Sequence, residues 1–202
     1  MQKGLDFMIK PFDFYFDFAS PYTFLAHKEV RKIEKENSMK IKYKPVLLGG
    51  LLKLSGSKAN IDIPLKGKYM VKDCKLWAEK YNIKFQFNSF FPIISLGLMR
   101  CVLVAEKKKI AEKFIDNVFD AIWENGLNLN DEIVVKELLK KMNINSKSFL
   151  EEILQPNIKD DLKKRTEDAY NKGIFGLPTF MVNNKIFWGQ DRLEFVINEA
   201  SK

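Results

Sequence analysis

Few side chains in this sequence combine reactivity with useful spacing. Cys74 and Cys101 lie far apart and form no CxxC pair, and one histidine with two cysteines cannot build a zinc site of common spacing. No metal is therefore expected. Ser20 says more. It stands directly before Pro21, and a hydroxyl followed by proline is how many helices begin: the hydroxyl accepts from free N–H groups of the first turn, and proline has no N–H to leave unpaired. Taken from those residues alone, Ser20 is a helix cap. His27, on the same expected helix, would lie about 10 Å further along the axis, too far to act as a direct base, and reads as a structural histidine.

The elements that must position these residues show in the hydrophobic period. From Phe12 to Phe18 the chain reads FDFYFDF, with four phenylalanines on one face and Asp13, Tyr15 and Asp17 on the other, which predicts a strand. Ala26, Val30 and Ile33 form the apolar stripe of the helix that follows, and a second strand is expected from Lys40 to Leu48. A strand, a helix and a strand in so short a span make a βαβ unit with parallel strands. After Gly49 and Gly50 the period turns helical, from about residue 66 to 172: Met70, Cys74, Trp77 and Tyr81 share a face, as do Ile110, Phe114, Val118 and Ile122. Gly126 and Gly173 sit where helices end, and Asn130 or Asp131 and Ser146 where they start. Strands return at Thr179 to Val182 and Ile186 to Trp188, around a turn at Asn183 and Asn184, and a last helix opens at Asp191. Two strands and a helix cannot stand alone, so they should pair with the first unit. The expected fold is α/β, with residues 10–50 and 167–202 forming one domain and 51–166 a helical insertion. Trp77, Trp123 and Trp188 are assigned to core or interface.

With 202 residues, 46% apolar and 30% charged, the composition is globular and excludes disorder and disulfide-stapled miniproteins. No apolar run approaches the roughly 20 residues that cross a bilayer, and the opening MQKGLDFMIKPF lacks the apolar stretch of a secretory signal, so no membrane association and a cytoplasmic location are expected. The net charge of +8 comes from 34 basic against 26 acidic residues, yet only Arg31, Arg100, Arg165 and Arg192 are arginines. Lysine lacks the planar fork that reads phosphates and base edges, so nucleic acid is not expected as a partner.

The segments FYFDFASPYTFLA, LLGGLLKLSG, IPLKGKYM, FFPIISLGLMR and GIFGLPTFMVNNKIFWGQDRLEF run in order over nearly the whole chain and resemble the 2-hydroxychromene-2-carboxylate isomerase family. That family is related to kappa-class glutathione transferases within the DsbA-like branch of thioredoxin folds. The resemblance implies that residues 10–50 and 167–202 form a thioredoxin-like domain, that the protein is a homodimer, and that glutathione is its cofactor or cosubstrate. It also implies a small aromatic electrophile, which can be anionic, as the second partner. Isomerisation and transfer need the same activated sulfur and stay open as outcomes. So does a non-catalytic DsbA-like binding or chaperone protein.

The resemblance also implies roles for particular residues. SPYT stands where CxxC would be, so Ser20 would hydrogen-bond the sulfur of glutathione at a helix N-terminus, where free N–H groups and the helix dipole favour a thiolate. Pro178 reads either as an ordinary strand-initiating proline or as a cis-proline that frees the N–H and C=O of Leu177 to pair with the cysteinyl backbone. Asp191, three residues before Glu194, suits both a capping box and the γ-glutamyl end of glutathione, with Gln190 where kappa enzymes often have serine. Lys66 is either solvated or a carboxylate partner. Lys53, Ser57 and Tyr22 are candidates for the second substrate. Ser57 and Ile94 depart from the family, which commonly has asparagine at both places.

Overall fold

Four phenylalanines at alternate positions dictate the centre of the molecule. Phe12, Phe14, Phe16 and Phe18 all point into the main core and are buried, and β1 (Asp13–Phe16) runs through them. The computed structural model describes residues 9–38 and 40–202, so most of the opening segment, on which the expectation of no secretory signal rests, lies outside the described residues. Phe14 stacks on Phe180 at 5.1 Å, and Phe18 meets Phe119 edge-on at 4.8 Å. Such ring pairs each contribute about 0.5–1.5 kcal/mol beyond the area they bury. The other face of β1 is covered as well: Tyr15 packs with Val46, Leu51, Ala169, Ile174 and Leu177 in a second, smaller core.

α1 (Pro21–Glu36) leads to β2 (Lys42–Pro45), which pairs parallel to β1 with Phe14 opposite Tyr43. α2 (Leu48–Ser55) takes in both Gly49 and Gly50, so the change of character begins inside a helix rather than in a linker. Gly50 is where that helix touches another, and a Cβ there would lie 2.9 Å from Thr166 Cγ2. The helical stretch continues with α3 (Pro64–Tyr81), α4 (Leu96–Lys107), α5 (Ala111–Trp123), α6 (Glu132–Lys141), α7 (Ser146–Glu152) and α8 (Pro156–Asn171). Asp131 caps α6 as expected, accepting from Ile133 N at 2.8 Å. Asn145 rather than Ser146 caps α7, because its side-chain oxygen reaches Ser148 N at 3.1 Å and leaves Ser146 as the first helical residue. The expected limit at 166/167 falls within α8.

β3 (Thr179–Val182) and β4 (Lys185–Trp188) complete a four-stranded sheet in the order β2-β1-β3-β4, with β3 antiparallel to both neighbours. The terminal strands thus share a sheet with the first unit. α9 (Leu193–Ala200) closes the chain behind a 3₁₀ turn at Gln190–Arg192. That helix starts two residues later than the sequence predicts. The capping box does not form, because the Asp191 carboxylate accepts from Arg192 Nη1 at 2.6 Å instead of from a first-turn N–H. Trp123, fully buried at the end of α5, donates its indole N–H to Phe18 O at 2.9 Å, which ties the helical stretch to the turn that carries Ser20. No helix among the described residues is long and apolar enough to cross a membrane.

Candidate active site

Ser20 sits where β1 gives way to α1, and the local sequence explains its posture. Its backbone is extended (φ −98°, ψ 116°), Pro21 opens the helix, and its Oγ accepts from Thr23 N at 3.2 Å. The same hydroxyl donates to Leu177 O at 3.4 Å. That is long beside the roughly 2.7–2.8 Å usual for a hydroxyl donor, so the proton is weakly held and can be redirected. Ser20 is only 4% exposed, yet it borders a cavity of about 520 Å³. Thr23, at the other end of SPYT, is buried, and its hydroxyl has no partner among the described residues.

Across from the α1 N-terminus runs the segment 175–178. The Leu177–Pro178 bond is cis, as the resemblance implies, and Phe91–Pro92, which the sequence did not single out, is cis too. The Leu177 carbonyl, expected to be free, carries the weak bond from Ser20. Thr179 Oγ1 donates to Gly176 O at 2.7 Å, and Gly189 N donates to Pro178 O at 2.9 Å, which fixes the loop against β4. Gly176 lets Trp188 lie against the loop: a Cβ there would sit 2.8 Å from Trp188 Nε1 and push the ring aside. Trp188 is 54% exposed and meets Phe175 edge-on at 5.0 Å, and both rings line the cavity. Trp188 is therefore not a core residue, and the assignment to the core is corrected here. It holds for Trp123, whose ring lies among phenylalanines.

The helical stretch supplies the opposite wall. Ile61, Ile63, Met70 and Phe91 give it an apolar surface, and Ser57, Lys58 and Lys66 bring polar groups to it. Tyr22 also lines the cavity, its hydroxyl donating to Asp73 Oδ2 at 2.8 Å so that α1 and α3 are bridged. Burial, with the Asp73 carboxylate alongside, holds that phenol well above its ordinary pKa. Ser20, Leu177, Lys66, Ser57 and Tyr22 are therefore brought together around one space. Lys53 is exposed on α2 and does not line it. The chain reverses at Gly56 (φ 67°) and delivers Lys58 instead. Pro178, Gln190 and Asp191 also lie outside the lining: Gln190 is buried, its carbonyl accepting from Tyr81 Oη at 3.4 Å, and Asp191 is exposed and paired with Arg192. Ile94 lines a different cavity, beside Leu98 and Leu129.

Charge is unevenly spread around this space. Between residues 53 and 84 eight lysines face three acids, and none of the eight is in an ion pair among the described residues. The two thiols offer nothing here. Burial raises the pKa of Cys74 strongly and pushes that of Cys101 up to about 12, so both stay protonated at neutral pH.

Ser20 thus stands at a helix N-terminus opposite a cis-proline loop, in a chain without a CxxC pair. Residues 12–200 match the model of the DsbA-like thioredoxin domain. The chain belongs to that family. Among curated proteins it is 28% identical to a 2-hydroxychromene-2-carboxylate isomerase of Sphingobium xenophagum, over 94% of this chain and 97% of that one. It is 26% identical to human glutathione S-transferase kappa 1, over 91% and 88%. Among solved structures, a 2-hydroxychromene-2-carboxylate isomerase superimposes with a TM-score of 0.84 at 24% identity, covering 92% of this chain and 91% of the other. A probable DsbA oxidoreductase from Streptomyces coelicolor follows with a TM-score of 0.70 at 12% identity, over 95% and 88%. The fold is thus that of a DsbA-like thioredoxin domain, and the curated relatives are named as isomerases and glutathione transferases.

Proposed function

We propose that this protein is a glutathione-dependent isomerase similar to 2-hydroxychromene-2-carboxylate isomerases, acting on a small aromatic electrophile. A kappa-class-like transferase outcome uses the same machinery. One observation carries the reading: the Ser20 hydroxyl, at the N-terminus of α1, borders an apolar cavity opposite the Leu177 main chain. Its local chemistry fits glutathione. A cavity of about 520 Å³ is in the size range of small-molecule sites, and the weakly committed Ser20 proton is a donor waiting for an anion.

Glutathione supplies a thiol nucleophile when bound. The chain's part is to favour its ionised form. Lowering a thiol pKa by about two units takes roughly 2.7 kcal/mol. A hydrogen bond to a charged group contributes about 1.5–3 kcal/mol, and a helix N-terminus about 0.3–1 kcal/mol more. Ser20 and α1 therefore suffice without a lysine or a metal. Leu177 presents its backbone groups to the cysteinyl portion, and Gln190 and Asp191 take the γ-glutamyl end only if the ligand extends past the cavity rim. Phe175, Trp188 and Phe91 keep water from the reacting carbon, and Lys58 or Lys66 meets a carboxylate on the electrophile. We take the protein to work as a homodimer in the cytoplasm. Exposed Leu65, Tyr69 and Leu76 along α3 support the first, and the two free cysteines support the second.

Ser20→Ala tests the reading. Thiolate absorbance of bound glutathione, titrated against pH, should show a thiol pKa about two units higher in the variant, with roughly a hundredfold less thiolate below it. Affinity for glutathione should change far less. Identical titrations would reduce Ser20 to a helix cap.

A further inference from the structure

The most deeply buried acid among the described residues lies three residues before Ser20. Asp17 is 0% exposed and belongs to no wall of the cavity, yet its carboxylate joins segments that build that cavity. Oδ1 accepts from Ala19 N at 3.0 Å, in the turn before Ser20, and Oδ2 accepts from Leu48 N at 2.7 Å, at the start of α2. The Ser95 hydroxyl, at the start of α4, stabilises the same carboxylate. The Asp17 backbone carbonyl accepts from Ser20 N at 3.3 Å. Ala19, Ser20 and Leu48 all line the cavity.

Burying a carboxylate is expensive, and here burial does raise its pKa. What requires the acid is the pair of backbone N–H groups that converge on it. Both can only donate, so both oxygens must accept. An amide of the same shape would turn an NH₂ toward one of them and break that tie. A leucine would satisfy neither and would leave both buried N–H groups unpaired. The clamp holds the Ser20 turn to α2 at a fixed distance, and α2 carries Leu48 and Leu52 into the cavity.

We infer that Asp17 is a positioning residue: its carboxylate sets the Ser20 hydroxyl relative to the α2 wall, and thereby how well Ser20 faces the sulfur of a bound thiol. This rests on the proposed function, and the experiment separates the two. In Asp17→Asn, bound glutathione should titrate with a thiol pKa about one unit above wild type, a tenfold loss of thiolate, while the amide hydrogens of Ala19 and Leu48 lose their exchange protection. Leu48→Pro provides a gentler cut. It deletes one donor at the first helical position, where proline is tolerated, and Leu47 already has the extended backbone (φ −95°, ψ 113°) that a residue before proline needs. Its titration should move the same way by less, and Ser95→Ala by less again. His27→Gln, about two turns further along α1 and away from the cavity, serves as the control for lost stability alone and should leave the titration unmoved.

If Asp17→Asn fails to fold, the other two variants decide the matter. Unshifted titrations in every folded variant, against a wild type that does lower the thiol pKa, overturn the positioning role and leave the proposed function standing. A wild type that leaves the thiol pKa of glutathione unchanged overturns the proposed function, and this inference with it.

Discussion

Helix α1 carries two polar centres, and they differ in what surrounds them. At its N-terminus Ser20 faces a cavity with a weakly committed proton. From about two turns further on, His27, Arg31 and Glu34 are fully occupied with one another's neighbours. His27 bonds Tyr43 Oη at 2.8 Å through Nδ1 and Asp116 Oδ1 at 3.2 Å through Nε2, and its ring stacks on Phe119 at 4.7 Å. Arg31 reaches the same Asp116 oxygen at 2.7 Å and lies over the Tyr43 ring, while Glu34 Oε1 accepts from Ile41 N at 2.7 Å. By residue type alone the second centre looks like the catalytic one, with a histidine, a carboxylate and a tyrosine in sequence. Vacancy reverses that ranking: a group can act on a ligand only where a partner is missing, and the His27 centre has none missing.

The largest effect that would test this contrast is on stability. His27→Ala should cost about 3 kcal/mol, because it opens a cavity in the core and strands the Tyr43 hydroxyl, while Asp116 keeps Arg31, yet it should leave the thiolate titration of bound glutathione alone. Chemical denaturation and that titration, run on one preparation, give both numbers. A shift in the thiol pKa comparable to that of Ser20→Ala would break the division between the two ends of α1.

A smaller effect concerns the unpaired lysines around the cavity. Replacing both Lys58 and Lys66 with Met should raise KM for an anionic aromatic acid about three- to tenfold, since exposed charges contribute up to about 1 kcal/mol each. A neutral analogue should be unaffected. The wild-type preference for the acid should also fade between low and moderate salt, as the screening length falls to about 10 Å at 0.1 M. Equal KM changes for charged and neutral substrates would mean that the lysines act only as surface.

How far each feature could be read from the sequence follows from how local its cause is. β1 and Ser20 were legible because alternation and a capping hydroxyl are signals within a few residues. The shared sheet was legible because two lone strands need a partner. Lys58 was missed for Lys53 because the left-handed turn at Gly56, not proximity in sequence, decides which lysine reaches the cavity. Trp188 and Phe175 were missed because their position depends on β4 crossing behind the 175–178 loop, a tertiary fact with no local period. Asp17 fell on the outer face of an alternating strand, and only the helices laid over that face bury it. The cap expected at Asp191 failed to its own neighbour, since Arg192 offered the carboxylate a charge where the helix offered an N–H.

The smallest effect is on pH, and the single histidine makes it clean. Burial lowers the pKa of His27 below its ordinary 6.5, with Asp116 only partly opposing and Arg31 and Lys28 adding to the fall. The native protein therefore refuses a proton that the unfolded chain accepts. Above about pH 6.5 both states are neutral at this residue, and its contribution is complete. As pH falls below that value the unfolded state gains, and stability should decline steadily toward the native pKa. Asp17, Glu29 and Glu106 act in the opposite sense, because burial raises their pKa values and the native state takes up protons first as the solution becomes acid. Asp116 and Glu199, whose pKa values their cationic and hydrogen-bonding partners lower, lose stability in the same sense as the histidine, but chiefly near and below the ordinary carboxylate range of about 4 to 4.5, so a decline between pH 6.5 and about 5 belongs mainly to the histidine. His27→Gln, which keeps hydrogen-bonding capacity but cannot titrate, should flatten it when unfolding free energy is measured across that range. A variant that keeps the wild-type slope would show that His27 is protonated as readily in the fold as out of it, and that the centre at mid-helix is less closed than its hydrogen bonds suggest.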